Sequence, residues 1–428
     1  MAKTNNSKVK EKKADNTYTK ARDYVFNFIK DVIDKHGPRL PGSQEEREAA
    51  DTITIHMKEA TGKDVVREPF NVAPIASIGA IPLLGMVGLI STALYYINPW
   101  ISLVTMFLTF FYAIVQVFLY KGWFDRFWKQ HESQNLYSVI DGGDKIDYTI
   151  VYSGHMDSSW NWNHSEKAPQ TVIIKLVYFI VSMLTLLVFS LLRILADYSG
   201  WVNTNISTPY LVILTFLPIA LIPGLYIGAR FLSWDKTKAA PGAMDNLSGV
   251  GISIYMGKYF KENPEKLPAN CRIVVAALGS EEAGLKGSLA FTKKHVGKTD
   301  LLINPISINL DGFSDYEHFG VISGDVWQMT TFSKELIDIA EEKFTSLKAT
   351  FKVLKNPVGG CDSTPFCKLG IPTLTICAQN PVPTNYYHTL NDKYERLDQR
   401  ALTKGIEGVV LLTEEIFKRE GKISAAKK

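Results

Sequence analysis

From Pro69 through Tyr120 this chain carries no charged side chain. A helix needs about 20 mostly apolar residues to cross the hydrocarbon core of a bilayer. The run therefore holds two, placed at Ser77–Tyr96 and Ile101–Tyr120, with Asn98-Pro99-Trp100 as the turn. A second apolar pair follows. One member is Leu176–Leu192, in a helix that starts near Val172, and the other is Pro209–Ala229. The polar loop ADYSGWVNTNIST lies between them. The pattern predicts four transmembrane helices. Pro82, Pro218 and Pro223 are expected to kink them, which membrane helices tolerate.

The flanks predict an orientation. Lys121, Arg126, Lys129, Lys167, Lys175, Arg230, Lys236 and Lys238 fall on one side, and the opposite loops carry only Arg193 and Asp197. The bias of Lys and Arg toward cytoplasmic loops puts the cation-rich side in the cytoplasm of a multi-pass cell-membrane protein. Seven of the eight tryptophans, Trp201 among them, lie near segment ends, as an aromatic belt requires. Within the spans only Lys175 and Arg193 are charged, and both sit at the ends, so no ion path for a transporter is visible. A net charge of +4 gives no reason to expect nucleic acid as a partner. Four cysteines do not make a disulfide framework. Cys271 and Cys377 read as core residues, and Cys361 and Cys367 as either a pair or the flanks of a pocket.

An even number of crossings returns the chain to one side. The domain layout is then a disordered basic tail at 1–16, spans at 73–120 and 171–232, and one catalytic domain assembled from 17–72, 121–170 and 233–428. Tyr24, Phe26, Phe28, Ile29, Val32 and Ile33 form the stripe of an amphipathic helix that stops at His36-Gly37-Pro38. A second helix starts at Ser43 as cap, with Glu45 and Glu46 in its first turn. Strand-like runs at Asp147–Tyr152, Arg272–Leu278, Ile306–Leu310 and Pro372–Ile376 alternate with helical patterns such as Asn246–Phe260 and Ser333–Phe344. This predicts an α/β fold, a mixed and mostly parallel sheet flanked by helices, with four inserted transmembrane helices.

His155, Glu281, Glu282 and Asp311 each follow such a strand at its carboxyl end, the edge where open α/β sheets gather ligands. With Asp245 in GAMDNLSGV and His388 in YYHTLND, the chain offers five metal-ligand candidates: His155, Asp245, Glu282, Asp311 and His388. Two zinc ions sharing a carboxylate need one bridging and four terminal ligands, and zinc takes both imidazole nitrogen and carboxylate oxygen. Asp157, two residues after His155, is placed to orient that imidazole. Glu281 is placed to act as general base.

Those motifs carry a resemblance. HGPRLPGSQEEREAADTI, YSGHMDS, GAMDNLSGV, GSEEAGLKGS, NLDG, GGCDSTPFCKLGIPTL and YYHTLNDKYERLD resemble the zinc exopeptidase family of the bacterial dizinc aminopeptidases, glutamate carboxypeptidase II and glutaminyl cyclase (metallopeptidase family twenty-eight). The resemblance covers essentially all of the soluble part. It implies that His155 and Asp311 bind one zinc, Glu282 and His388 the other, and that Asp245 bridges them. It implies Tyr387 as a donor to the tetrahedral oxyanion and Asp362 as a substrate-pocket residue. The chain departs from the family in having Ser363 after Asp362, where histidine is frequent, and in the two helical insertions.

The function expected is a membrane-integral zinc metallopeptidase, an aminopeptidase acting on peptides near the bilayer. The alternative is a membrane amidohydrolase for N-acyl amino acids or lipid-linked peptides. Three other readings fit less well. A non-catalytic receptor on the same fold would have lost ligands, a single-zinc cyclase would not need His155, and a transporter would need charge inside the spans.

Overall fold

The computed structural model describes residues 2–198 and 208–426, with side chains from 17 to 198 and from 212 to 426. Most of the loop expected between the second pair of spans, including Trp201, lies outside the described residues.

Helix α1 (Ala2–His36) opens the chain. It runs through residues 2–16, where composition predicts a disordered tail. That stretch contains neither Gly nor Pro, so nothing in it stops the helix nucleated by the buried stripe downstream. Helix α2 (Gln44–Thr61) starts as expected, with Ser43 Oγ accepting the Glu46 N–H at 3.1 Å, and ends on Gly62 at φ 68°.

One eight-stranded sheet organises the domain: β1 (Val65–Val72), β2 (His131–Asp141), β3 (Tyr148–His155), β4 (Cys271–Leu278), β5 (Pro305–Phe313), β6 (Phe319–Asp325), β7 (Phe351–Asn356) and β8 (Thr373–Ala378). Their order is β1-β2-β4-β3-β5-β8-β6-β7. The central β4-β3-β5-β8 pairings are parallel, and β1/β2, β2/β4 and β6/β8 are antiparallel. Side-chain alternation sorts the two faces. Ile273, Val275 and Ala277 of β4 join the large core, while Val274, Ala276 and Leu278 join the smaller one on the opposite face. The large core is closed by α1, α2, α8 (Gly249–Glu262), α10 (Lys334–Ser346) and α12 (Gln399–Lys418). The small one is closed by α9 (Lys286–His295) and α11 (Ser363–Lys368).

The apolar segments form a separate bundle. It contains α3 (Ile81–Ile97), α4 (Pro99–Tyr112) with a π-helical extension over Ala113–Phe118, α5 (Val172–Tyr198), α6 (Thr208–Ala220) and α7 (Ile222–Ala229). Among the described residues, four helical stretches are long and apolar enough to cross a membrane: Ile78–Ile97, Pro99–Phe118, Pro169–Tyr198 and Val212–Ala229. Asn98 accepts the Trp100 N–H at 3.0 Å, which caps α4 at the predicted turn. Pro82 sits in the first turn of α3, where its missing N–H costs no hydrogen bond, so it does not interrupt that helix. Pro218 and Pro223 flank the break between α6 and α7.

Glycines let these helices approach closely. A Cβ on Gly85 would fall 2.1 Å from the Ala229 nitrogen, and one on Gly228 would fall 2.3 Å from the Phe179 ring.

The three soluble pieces meet at Arg39. Its buried guanidinium donates to the carbonyls of Gly37, Met156, Pro241 and Gly242, one piece after another. Asp125, just beyond the second span, holds Lys286 at 2.6 Å and also bonds Gln116 inside the π-helical turn. The bundle is thereby tied to the start of α9, four residues past Glu282.

Candidate metal centre

The carboxyl ends of β3, β4 and β5 converge on one edge of the sheet. His155 is the last residue of β3, in register with Leu278, the last of β4. The chain leaving β4 turns through Ser280 at φ 52° into Glu281 and Glu282. Asp311 sits within the register shift between Leu310 and Phe313 of β5. Asp245 arrives on the segment that leads into α8, and His388 on the loop after β8.

All five predicted ligands come together. Asp245 stands between two groups. Its Oδ1 is 3.0 Å from His155 Nε2, and its Oδ2 is 2.8 Å from His388 Nε2. Asp311 lies 3.9 Å from His155 Nε2 on one side, and Glu282 3.1 Å from His388 Nε2 on the other. The donors therefore divide into His155–Asp245–Asp311 and Asp245–Glu282–His388, each with its ligand atoms within 4.8 Å of one another.

The donor chemistry fits cations. His155, Asp245, Glu282 and His388 are buried. Glu282 Oε1 has no hydrogen-bond partner, although an imidazole nitrogen lies 3.1 Å away. Carboxylates outnumber imidazoles, and the protons respond. Burial and neighbouring carboxylates push Asp311 up to about 8 despite His155. Burial also pushes Glu281 well above the ordinary carboxyl range, with Glu282 adding to the rise and His155 opposing it. Burial alone would lower His388, but Glu282 and Asp245 lift it to about 10. Burial raises Asp245 too, yet its bonds to the two imidazoles outweigh that and leave it below the usual range. Excess anion in a closed site is the condition that bound divalent cations relieve.

A second ring of groups fixes the first. Asp157 accepts the backbone N–H of Glu281 at 2.9 Å and of Glu282 at 3.0 Å. Its carboxylate is 3.4 Å from His155 Nδ1, an approach without hydrogen-bond geometry. The expected imidazole-orienting residue is thus first of all the anchor of the Glu281–Glu282 turn. Glu46 accepts the Gly42 N–H at 2.6 Å and the Ser280 N–H at 2.8 Å, so it ties the cap of α2 to that same turn. Asp392 accepts the N–H groups of Met244 and Asp245 at 2.8 and 3.1 Å. Asn246 donates to the Leu310 carbonyl at 2.9 Å and so locks Asp245 to β5. Sequence reasoning did not single out Glu46, Asp392 or Arg39. Asp392 lies only four residues beyond His388, and an acid just past a ligand is the signal that was available.

Tyr387 stacks on His388 with ring centroids 3.9 Å apart, and Trp162 meets the same imidazole edge-on at 4.5 Å. Burial and the nearby Asp245 hold the Tyr387 hydroxyl protonated well beyond its ordinary range. Asp362 is 1% exposed and is not among the residues that line the cavity, whereas its neighbour Cys361 is. Its carboxylate adds to the rise of Glu281 and Asp311. All four cysteines are free, which removes the Cys361–Cys367 pair and leaves Cys361 as a pocket residue.

The ligand atoms open into a cavity of about 390 Å³, within the range of small-molecule sites. His155, Asp245, Glu281, Glu282, Asp311, Tyr387 and His388 form its floor.

Residues 233–412 match the model of Peptidase family M28. That segment contains every predicted site residue except His155 and Asp157, whose membership in the site rests on the geometry above. Among relatives, the chain is similar to the aminopeptidase YwaD of Bacillus subtilis (strain 168), 26% identical over 216 residues. The match covers 48% of this chain and 43% of that one, so the chain spans less than half the length of this curated relative.

Among solved structures, a zinc aminopeptidase from Bacillus subtilis superposes with a TM-score of 0.54 at 14% identity, covering 92% of this chain and 94% of that one. An aminopeptidase from Aneurinibacillus sp. strain AM-1 gives 0.53 at 13%, covering 97% of each. A glutaminyl cyclase from an Acidobacteriales bacterium gives 0.51 at 15%, covering 93% and 95%. At these identities the likeness is one of fold.

Proposed function

We propose that this chain is a membrane-integral zinc-dependent peptidase that hydrolyses amide bonds, acting as an aminopeptidase at the cytoplasmic surface of a cell membrane. The observation that carries it is the placement of Asp245 between two histidine–carboxylate groups. The relatives named above support zinc and aminopeptidase activity. The four apolar helices and the one-sided cation flanks support the membrane and its orientation.

His155 and Asp311 would hold one zinc, Glu282 and His388 the second, with Asp245 between them. Zinc bound there supplies Lewis acidity toward a carbonyl oxygen and lowers the pKa of water. Glu281, held by Asp157 through its own N–H, removes a proton from the attacking water and returns it to the departing nitrogen. Tyr387, kept protonated, donates to the oxygen on which negative charge develops. Trp162 and Tyr387 pack on His388 from two directions and hold its ring plane.

The cavity favours a second reading, an amidohydrolase acting on N-acyl amino acids or lipid-linked peptides, because its walls include residues of the bundle such as Ile81, Val117 and Leu176. The test is an assay in detergent with zinc, using aminoacyl amides with free amines against N-acyl amino acids. Hydrolysis of the free-amine set, abolished in Glu281→Ala, supports the aminopeptidase. Hydrolysis of the acylated set alone selects the amidohydrolase.

A further inference from the structure

The cavity has two unlike walls. On one side lie Lys355, Asn356, Gln379 and Asn380, beside the metal ligands. On the other are Ile78, Ile81, Val117, Ile173 and Leu176, which come from the domain-facing ends of the first three spans. The apolar wall does not stop at the cavity. A smaller void of about 20 Å³ shares Ile81, Val117, Leu176 and Trp327 with it, and its remaining lining, including Leu84, Phe179 and Met183, lies deeper in the bundle. No polar side chain lines that void. From Leu176 to Met183 is two turns of α5, about 10 Å at 1.5 Å per residue. Trp327, on the loop after β6, meets Phe118 edge-on with ring centroids 4.4 Å apart, at the seam between domain and bundle. Ile173, in the first turn of α5, lines the cavity and is 38% exposed.

We infer that this site takes an amphiphile. Its long unbranched apolar chain lies within the 390 Å³ cavity, in the apolar channel along Ile81, Val117 and Leu176. Its amide rests on the ligand cluster, and its polar end faces Asn380 and Lys355. The inference rests on the hydrolase reading above and deepens it by naming the substrate class. An anchoring role alone explains four lipid-facing helices. It does not explain why the domain-facing ends of three of them wall the reacting atoms. The apolar chain could belong to an N-acyl group or to the side chain of an N-terminal residue. The chemistry that recognises it is the same, so the test separates the two.

The experiment uses the full chain in lipid nanodiscs with zinc. Two substrate series are compared, each with chains of about two to twelve carbons: N-acyl amino acids, and amino-acid amides bearing an n-alkyl side chain and a free amine. Each buried methylene adds transfer free energy, so within the hydrolysed series kcat/KM is expected to rise about tenfold or more from the shortest to the mid-length chain. Leu176→Trp, which fills the channel, is expected to cut the long-to-short ratio of kcat/KM about tenfold by removing that burial. A flat or falling dependence on chain length, or a ratio unchanged in Leu176→Trp, overturns the channel.

Binding is read separately from turnover. A long-chain N-acylglycine brominated along its chain should quench a saturable part of the tryptophan fluorescence, and Trp327→Phe should remove that part. Quenching without hydrolysis of either series would reject the hydrolase and keep the channel. Hydrolysis without Trp327-dependent quenching would keep the hydrolase and reject the channel.

Discussion

The sheet edge and the helix bundle bury polar groups in opposite ways. At the edge, carboxylates are held by backbone N–H groups from distant parts of the chain: Asp157 by Glu281 and Glu282, Asp392 by Met244 and Asp245, Glu46 by Gly42 and Ser280. In the bundle, hydroxyls pair with each other, as Ser91 with Thr105 at 2.8 Å and Ser102 with Ser190 at 2.9 Å, and glycines do the rest. The edge therefore carries charge in a rigid frame, where moving one group displaces a ligand. The bundle carries no buried ionised pair among its described residues, so its requirement is shape. A site made from both has a rigid reactive floor and a wall tuned by volume.

The largest effect that separates the regions is expected from the edge. His155→Ala removes a ligand shared with no other group, and loss of a metal site that polarises the carbonyl should lower kcat/KM by about a thousandfold or more, with zinc content falling alongside. Next is Asp157→Asn. It leaves every ligand in place but weakens the anchor of the Glu281–Glu282 turn, and such outer groups are worth about 10–100-fold in activity or metal affinity. Steady-state kinetics with metal analysis should show a drop in kcat with zinc largely retained.

In the bundle, Gly85→Ala puts a methyl against the Ala229 backbone. Overpacking of this kind costs about 1–3 kcal/mol. Thermal unfolding in detergent should show a lower midpoint, and the zinc stoichiometry should hold. If Gly85→Ala instead stripped zinc as His155→Ala does, the division of labour between floor and wall would be wrong.

The smallest expected effect is a pH dependence. In the folded, metal-free chain, burial raises Glu46 to about 8 and Asp392 to about 7, with neighbouring Asp157 and Asp245 adding to the rise. Ordinary carboxyls titrate near 4. A folded-state value above the unfolded one means the folded chain holds more protons. The contribution of these groups is therefore fully present below about 4 and is lost as pH rises toward 7 to 8. The thermal midpoint of chelator-treated protein should fall between about pH 5 and pH 8, and Glu46→Gln should flatten that slope.

Much of this was legible in the sequence. The apolar helices were visible because length and absence of charge suffice to mark them, and each predicted span overlaps a helical stretch long and apolar enough to cross a membrane. The four parallel central strands were visible because strands buried on both faces read as continuous apolar runs. The outer strands were not. β1 contains Arg67, Glu68 and Pro69, and β7 reads FKVLKN; edge strands carry charge and proline because one side meets solvent. The five ligand candidates were legible because His155, Glu282 and Asp311 follow strands, Asp245 sits between glycines, and His388 lies in the distinctive YYHTLND. Their supports were not: Glu46 looks like an ordinary first-turn acid of a helix, and only the fold brings it to Ser280.

The most direct measurement is hydrolysis of an aminoacyl amide by the detergent-purified, zinc-loaded chain, beside Glu281→Gln, with zinc counted in both. The account predicts turnover by the native chain, a loss of about a thousandfold in Glu281→Gln, and two zinc ions per chain in each. Turnover that survives Glu281→Gln, or a chain that binds no zinc, would contradict it.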